Sequence, residues 1–153
     1  MELAEIHEVV ASRLRGDDQR YTVKRRALVE VLQRSGRPLS MPSILEQSPG
    51  MAQSSVYRNL VLLEQAGVVH RIVTNAEFAR FELAEDLTGD HHHHLICSIC
   101  GAVQDAPASA GIERAVHQAI DEVERETGFR TTAHRIDLVG LCRSCASVRP
   151  GPG

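Results

Sequence analysis

The strongest constraint on how this chain folds is the spacing of its cysteines. Its four cysteines form two C-x2-C pairs, one ending the run HHHHLICSIC at residues 91–100 and one near the end of the chain. A two-residue gap lets one turn present two thiolates, and Zn²⁺ binds four of them tetrahedrally. The spacing therefore predicts one structural zinc site with the ligands Cys97, Cys100, Cys142 and Cys145. The insert at 101–141 is long enough to hold secondary structure of its own.

Two disulfides or a redox pair could use the same cysteines, so the expected compartment matters. We identify no secretory signal peptide and expect a cytoplasmic protein, in which thiols stay reduced. No apolar run approaches the length of a membrane span, so we expect no membrane partner. The histidine run is internal and continues into a strand pattern, which distinguishes it from an expression tag.

Composition favours a folded chain of one or two small domains and does not by itself indicate nucleic acid. The chain has 153 residues, is 42% hydrophobic and has a formal charge of −3. Residues 1–84 carry 11 Lys and Arg against 10 Asp and Glu, whereas residues 85–153 carry 6 against 10. The first half is the less acidic one, yet it is not strongly basic. Only five residues are aromatic, which argues against a surface that stacks on bases.

Residues 1–84 predict a winged helix-turn-helix domain. Thr22 and Ser40 are expected N-caps, and Gly67 is placed to end the last helix. The order of elements, with a polar-fronted helix before a hairpin turning at 74–77, is typical of this fold. The predicted elements are helices over 2–15, 23–34, 40–47 and 53–66 and strands over 68–73 and 79–83.

The early, outward face of the helix at 53–66 is polar. A winged helix places the start of this helix in the DNA major groove, against base edges and phosphates. The basic run at 24–26 opposes the local helix dipole, so it is either a phosphate contact or a solvated face. A helical bundle whose polar face meets only water is the alternative. The candidate DNA contacts are Ser54, Ser55, Tyr57, Arg58, Asn59, Lys24 and Arg25.

After an acidic linker at 85–90, residues 91–147 predict a metal-binding α/β domain, and 148–153 a disordered tail. Side chains alternate along a strand, so His92 and His94 point to one face and His91 and His93 to the other. Alternate histidines can therefore serve two different metal centres. The predicted elements are a strand from 91, a turn and strand over 101–105, a helix over 112–127 and a strand over 134–141. The helix positions expected to face inward are Ile112, Ala115 or Val116, Ala119, Ile120 and Val123.

Four stretches together resemble the ferric uptake regulator (Fur) family. They are RYTVKRRALVEVL, SSVYRNLVLLEQAGVV, FELAEDLTGDHHHHLICSICG and GFRTTAHRIDLVGLCRSC, and the match runs from about Tyr21 to Cys145. The resemblance implies an α+β, homodimeric, metal-sensing transcription factor with an N-terminal winged helix and a C-terminal dimerisation domain. It also implies double-stranded operator DNA as partner, repression as the default and no enzymatic activity.

The resemblance also implies roles for individual residues. Tyr57 and Arg58 match positions where the family's recognition helix touches DNA, and the four cysteines match its structural zinc ligands. The regulatory site would be formed by His70, Glu82, His92 and His94. The additional site would be formed by His91, His93, His134 and either Glu113 or His117. Counting forward from Cys100 selects Glu113 and counting back from His134 selects His117, one helical turn further on.

The regulatory set mixes two types within the family. Iron-type members have a histidine after the second helix, where this chain has Pro38 and Leu39, and zinc-type members have a wing cysteine that is missing here. His70 takes a zinc-type position and Glu82 an iron-type one. Three imidazoles and a carboxylate suit Zn²⁺, Fe²⁺, Mn²⁺ or Ni²⁺, and His70 favours zinc.

Two other classes of function compete with regulation. A zinc-dependent hydrolase would use the histidines with a metal-bound water and Glu82 as base, but the sequence has no H-E-x-x-H, phosphate loop or nucleophile elbow. A metal-storage or chaperone protein would need the metal sites but not the helix-turn-helix half. The motifs therefore favour a metal-dependent regulator.

Overall fold

The computed structural model describes residues 1–74, 79–89 and 91–148, which form helices and strands in two successive groups. The first group comprises α1 (Leu3–Gly16), α2 (Val23–Ser35), β1 (Leu39–Ser40), α3 (Met41–Glu46), α4 (Gln53–Gln65), β2 (Val69–Ile72), β3 (Arg80–Leu83) and α5 (Glu85–Thr88). The second comprises β4 (His92–Cys97), β5 (Val103–Pro107), α6 (Ala110–Thr127), β6 (Asp137–Gly140) and α7 (Arg143–Val148). The α+β class predicted from the sequence is confirmed.

The first group folds as the predicted winged helix. Its antiparallel sheet has the strand order β1-β3-β2 and packs against α1, α2 and α4 around a shared apolar core. The predicted caps are confirmed, since the hydroxyls of Thr22 and Ser40 accept hydrogen bonds from the backbone at the starts of α2 and α3. β1 was not predicted because two residues carry no periodic pattern. It exists through its pairing with Phe81 and Arg80 of β3.

The segment predicted as a linker contains a helix that packs on the winged half. Leu87 of α5 is 0% exposed and belongs to the hydrophobic core of that half. The backbone N–H of Ala84 donates to the carbonyl of Val68, 3.0 Å away, which fixes the start of α5 beside β2. Arg13 of α1 reaches Asp86 of α5. These contacts make α5 part of the winged-helix body.

The second group is a three-stranded sheet with two helices. β4 lies in the centre, antiparallel to β5 and parallel to β6. The inward positions predicted for α6 are wrong for a single chain, because no residue of α6, which the structure describes in full, is buried. Ile112 is 40% and Val123 49% exposed because no layer of the same chain covers that face.

Two predicted features fall outside the residues that the structure describes. They are most of the wing turn, at 75–77, and the tail at 149–153. Within the described ranges, no helix combines the length and the apolarity needed to cross a bilayer.

Candidate metal centres and nucleic-acid interface

The four cysteines meet at one end of the second sheet. Cys97 ends β4, Cys100 lies in the turn after it, and Cys142 and Cys145 lie at the start of α7. Their sulfur atoms all lie within 4.8 Å of one another, and Sγ of Cys100 is 3.8 Å from Sγ of Cys142. Four sulfurs around one point suit a single tetrahedral cation better than two separate disulfides.

The electrostatics of this cluster also fit a cation. Backbone N–H groups of Cys142, Cys100 and Ile99 point at Cys97 and lower the pKa of its thiol to about 6. Hydrogen bonding to Cys142, together with burial, raises the pKa of Cys145 to about 12. Without a cation, therefore, some of these thiols hold their protons, because so many thiolates cannot be negative together.

A second cluster joins the two halves of the chain. It consists of Glu82 from β3, His92 and His94 from β4, and Asp105 from β5, with one donor atom from each within 4.8 Å of the others. Oε2 of Glu82 is 3.3 Å from Nε2 of His92, and its Oε1 is 3.1 Å from Nε2 of His94. Glu82 is 6% exposed and His94 is 1% exposed, so this contact lies inside the molecule.

Two buried atoms of the second cluster lack hydrogen-bond partners in the described part of the chain, which suits a metal ion. Oε1 of Glu82 and Nε2 of His94 have no hydrogen-bond partner among the described residues. Burial raises the pKa of Glu82, but His94 and then His92 outweigh it and lower that pKa. Burial lowers the pKa of His94, but Glu82 and Asp137 outweigh it and raise that pKa. A buried carboxylate oxygen and a buried imidazole nitrogen that face each other without other described partners fit a divalent cation.

Asp105 was not singled out in the sequence, and His70 lies in the predicted wing strand, β2, beside the second cluster. The antiparallel register sets Asp105 opposite His94, which delivers its carboxylate to the cluster. His70 lies opposite Glu82 in the β2–β3 ladder but outside the four residues that share one centre. Burial and then the charge of Arg135 lower the pKa of His70. Pairing the predicted strand at 101–105 with the histidine strand would have placed Asp105 close to the histidines.

A third cluster lies on the opposite face of β4. It consists of His91, His93, Glu113 of α6 and His134. Nε2 of His93 is 2.8 Å from Oε1 of Glu113, and Nε2 of His134 is 3.2 Å from Oε2 of the same carboxylate. Burial raises the pKa of Glu113, but His93, His91 and His134 outweigh it and lower that pKa. The alternation of the histidines along β4 therefore produces two separate clusters.

Of the two candidates on α6, the structure brings Glu113 into the third cluster and leaves His117 beside it. Nδ1 of His117 is 2.7 Å from the carbonyl oxygen of Glu113, so this nitrogen donates to the backbone of its own helix. The ring of His117 is 5.7 Å from that of His134. Because α6 begins at Ala110, Glu113 lies in its first turn, near the end of β5.

The predicted DNA contacts divide into exposed residues and residues that join helices. Tyr57 is 46% exposed. Arg25, in contrast, is 8% exposed, and its guanidinium donates to Asn59, to Gln19 and to the carbonyl of Arg20. Arg25 and Asn59 therefore fix α2 against α4. The other predicted contacts with exposed or half-buried side chains are Lys24, Ser54, Ser55 and Arg58.

Comparisons with known proteins agree with this geometry. The model of the "Ferric uptake regulator family" matches residues 17–139. The ferric uptake regulation protein of Bacillus subtilis (strain 168) is 30% identical over 142 residues, which is 89% of this chain and 91% of that protein. The peroxide operon regulator of the same strain is 29% identical over 135 residues, or 83% and 84%. The structure of the Helicobacter pylori ferric uptake regulator matches with a TM-score of 0.73 at 27% identity, covering 95% of this chain and 94% of that one. The chain therefore belongs to the ferric uptake regulator family of metal-responsive transcription regulators.

Proposed function

We propose that this protein is a dimeric, metal-dependent repressor that binds double-stranded operator DNA and controls genes of metal homeostasis. The observation that carries the proposal is the second cluster, in which Glu82 of the winged half meets His92 and His94 of the second sheet. A cation bound there would be coordinated by residues from both halves and would hold the two halves together. Membership of a family of transcription regulators excludes the hydrolase alternative.

Glu82, His92 and His94 would set the orientation of the winged helix. β3, which carries Glu82, pairs with β2 and contacts α2, so a shift of Glu82 moves the body that carries α4. His94 is held from its other side by Asp137, 3.2 Å away. Two winged helices held at a fixed spacing in a dimer match two half-sites on duplex DNA. Metal affinity and DNA affinity are then coupled reciprocally, typically by about 1–3 kcal/mol.

The donors of the second cluster suit iron(II) as the regulatory ion, with zinc and manganese as alternatives. Two imidazoles and two carboxylates form a harder donor set than the three imidazoles and one carboxylate expected from the sequence. The preference for zinc depended on His70, which lies outside the cluster. The Helicobacter pylori relative is described as having three functional metal binding sites, and three clusters occur in the described part of this chain.

A second copy of the chain is the proposed cover for the exposed face of the second half. β6 is an edge strand of its sheet, and Leu138 and Val139 are 51% and 64% exposed. α6 adds Ile112 and Val123 to the same set of exposed apolar residues. Apolar residues of this number on a strand edge and a helix are typical of a surface that a partner covers.

The test is a titration of zinc-loaded protein with Fe²⁺, Zn²⁺, Mn²⁺ and Ni²⁺, with affinity for operator-length duplex DNA as the readout at fixed salt. We expect at least one ion to raise DNA affinity about 5- to 150-fold. His94→Ala should remove most of that response and leave the cysteine-bound zinc in place. His117→Ala, which removes an exposed imidazole outside the second cluster, is the matched control. A metal-storage protein would bind the ions with no change in DNA affinity, and that result would refute the proposal.

A further inference from the structure

Glu85 connects the winged-helix body to the third cluster. It is the first residue of α5, three positions after Glu82. Its Oε2 lies 2.7 Å from Nδ1 of His91, and its side chain is 20% exposed. His91 belongs to the third cluster, so Glu85 contacts the third cluster as Glu82 contacts His92 and His94 of the second.

The carboxylate of Glu85 is held by a rigid part of the winged half. Leu87, two residues on, is 0% exposed within the winged-helix core. The N–H of Ala84 is bonded to Val68, and Arg13 holds Asp86 on the adjacent position of α5. A movement of Glu85 relative to His91 is therefore a movement of the winged half as a body.

The two nitrogens of His91 face different groups. Nε2 lies 3.1 Å from Nε2 of His134 and 3.5 Å from Oε2 of Glu113, so it is the nitrogen that belongs to the third cluster. Nδ1 faces Glu85. An ionised carboxylate only accepts hydrogen bonds, so this contact places a proton on Nδ1 and leaves the lone pair of Nε2 for a metal.

We propose that Glu85 is a positioning residue that links metal binding at the third cluster to the orientation of the winged helix. The contact selects the tautomer of His91 that can bind a metal, and it strengthens when Nε2 does so, because a bound cation makes the N–H on the other nitrogen a better donor. Metal binding at the third cluster would then affect the orientation of the winged helix, as metal binding at the second cluster does. This inference rests on the proposed function only for its effect on DNA.

The linkage works in both directions. A metal in the third cluster favours the orientation in which Glu85 reaches His91, and that orientation favours the metal. The neighbouring acid, Asp86, faces Arg13 instead and touches no residue of the metal clusters in the contacts described. Glu85 and Asp86 therefore offer a matched pair of substitutions, each removing one negative charge from α5.

The experiment uses the full chain with zinc in the cysteine site and with His94→Ala, which isolates the third cluster. Co²⁺ affinity is measured by visible absorption in competition with a chelator for the unaltered, E85Q, E85D and D86N chains. Removing a residue that orients a ligand typically costs 10- to 100-fold in metal affinity, so we expect about that loss for E85Q. E85D should recover part of the loss, and D86N should stay within about threefold of the parent chain.

Hydrogen exchange on the same four chains tests the linkage to the winged half. Co²⁺ should slow exchange of the α5 amides, including that of Gly89, which donates to the carbonyl of Glu85. The slowing should be absent in E85Q and kept in D86N. Equal metal affinities for E85Q and D86N would overturn the positioning role. Co²⁺ that leaves α5 exchange unchanged in the parent chain would overturn the linkage. No DNA is present, so these outcomes are independent of the regulatory function. If E85Q loses its cysteine-bound zinc, the same two comparisons with D86N are made with E85D in place of E85Q.

Discussion

Asp137→Asn should shift the metal response of the second cluster and leave its maximum unchanged. Oδ1 of Asp137 lies 3.2 Å from Nδ1 of His94, whose Nε2 faces Glu82 at 3.1 Å. Asp137 therefore holds the imidazole by the nitrogen that points away from the cluster. The asparagine keeps the shape of the side chain and loses the charge that fixes the tautomer of His94.

The expected loss of metal affinity follows from how far the Asp137–His94 contact is exposed to water. Loss of a group that orients a metal ligand typically costs 10- to 100-fold in affinity. The side chain of Asp137 is 34% exposed, whereas His94 is 1% exposed, so water partly replaces the lost contact. We expect the lower end of the range, about tenfold, which corresponds to about 1.4 kcal/mol.

The assay is DNA affinity as a function of free metal concentration, with zinc content of the cysteine site measured in parallel. The midpoint should move about tenfold higher for Asp137→Asn, and saturating metal should restore the DNA affinity of the parent chain. Asp121→Asn, at an exposed position of α6, is the control and should not move the midpoint. A midpoint shift below twofold, or a lower plateau with zinc retained, would contradict the orienting role.

Four further results are expected. Leu63→Ala, at a position that is 0% exposed, should lower the free energy of unfolding by about 2–5 kcal/mol in chemical denaturation. Because Glu82 and Asp137 raise the pKa of His94, protons compete with metal for this imidazole. Calorimetry in buffers of different ionisation enthalpy should therefore show proton release and a metal affinity that falls as pH drops through that pKa. Cys142→Ser should lose the bound zinc, measured by elemental analysis. Arg58→Ala should weaken DNA binding and reduce the salt slope by about 1; an unchanged slope would place Arg58 away from phosphate.

Local patterns in the sequence were enough for most elements of the winged half. The helical period of α2 and α4 and the hydroxyl caps Thr22 and Ser40 act within a few residues, and the structure contains them. The spacing of the cysteines predicted a cluster that the fold assembles at one point. The alternation along β4 predicted that the histidines face two centres, because the period of a strand is local.

The composition of the two histidine clusters was decided by contacts between residues that are distant in the chain. Strand register placed Asp105 opposite His94, and the start of α6 at Ala110 brought Glu113 rather than His117 to the third cluster. Burial of Arg25 against Asn59 and the packing of α5 on the winged half carry no periodic signal. The sequence thus predicted most of the elements and most of the side chains that can bind metal. Tertiary structure decided which distant carboxylates join the two histidine centres, because pairing and packing depend on geometry that local propensity does not encode.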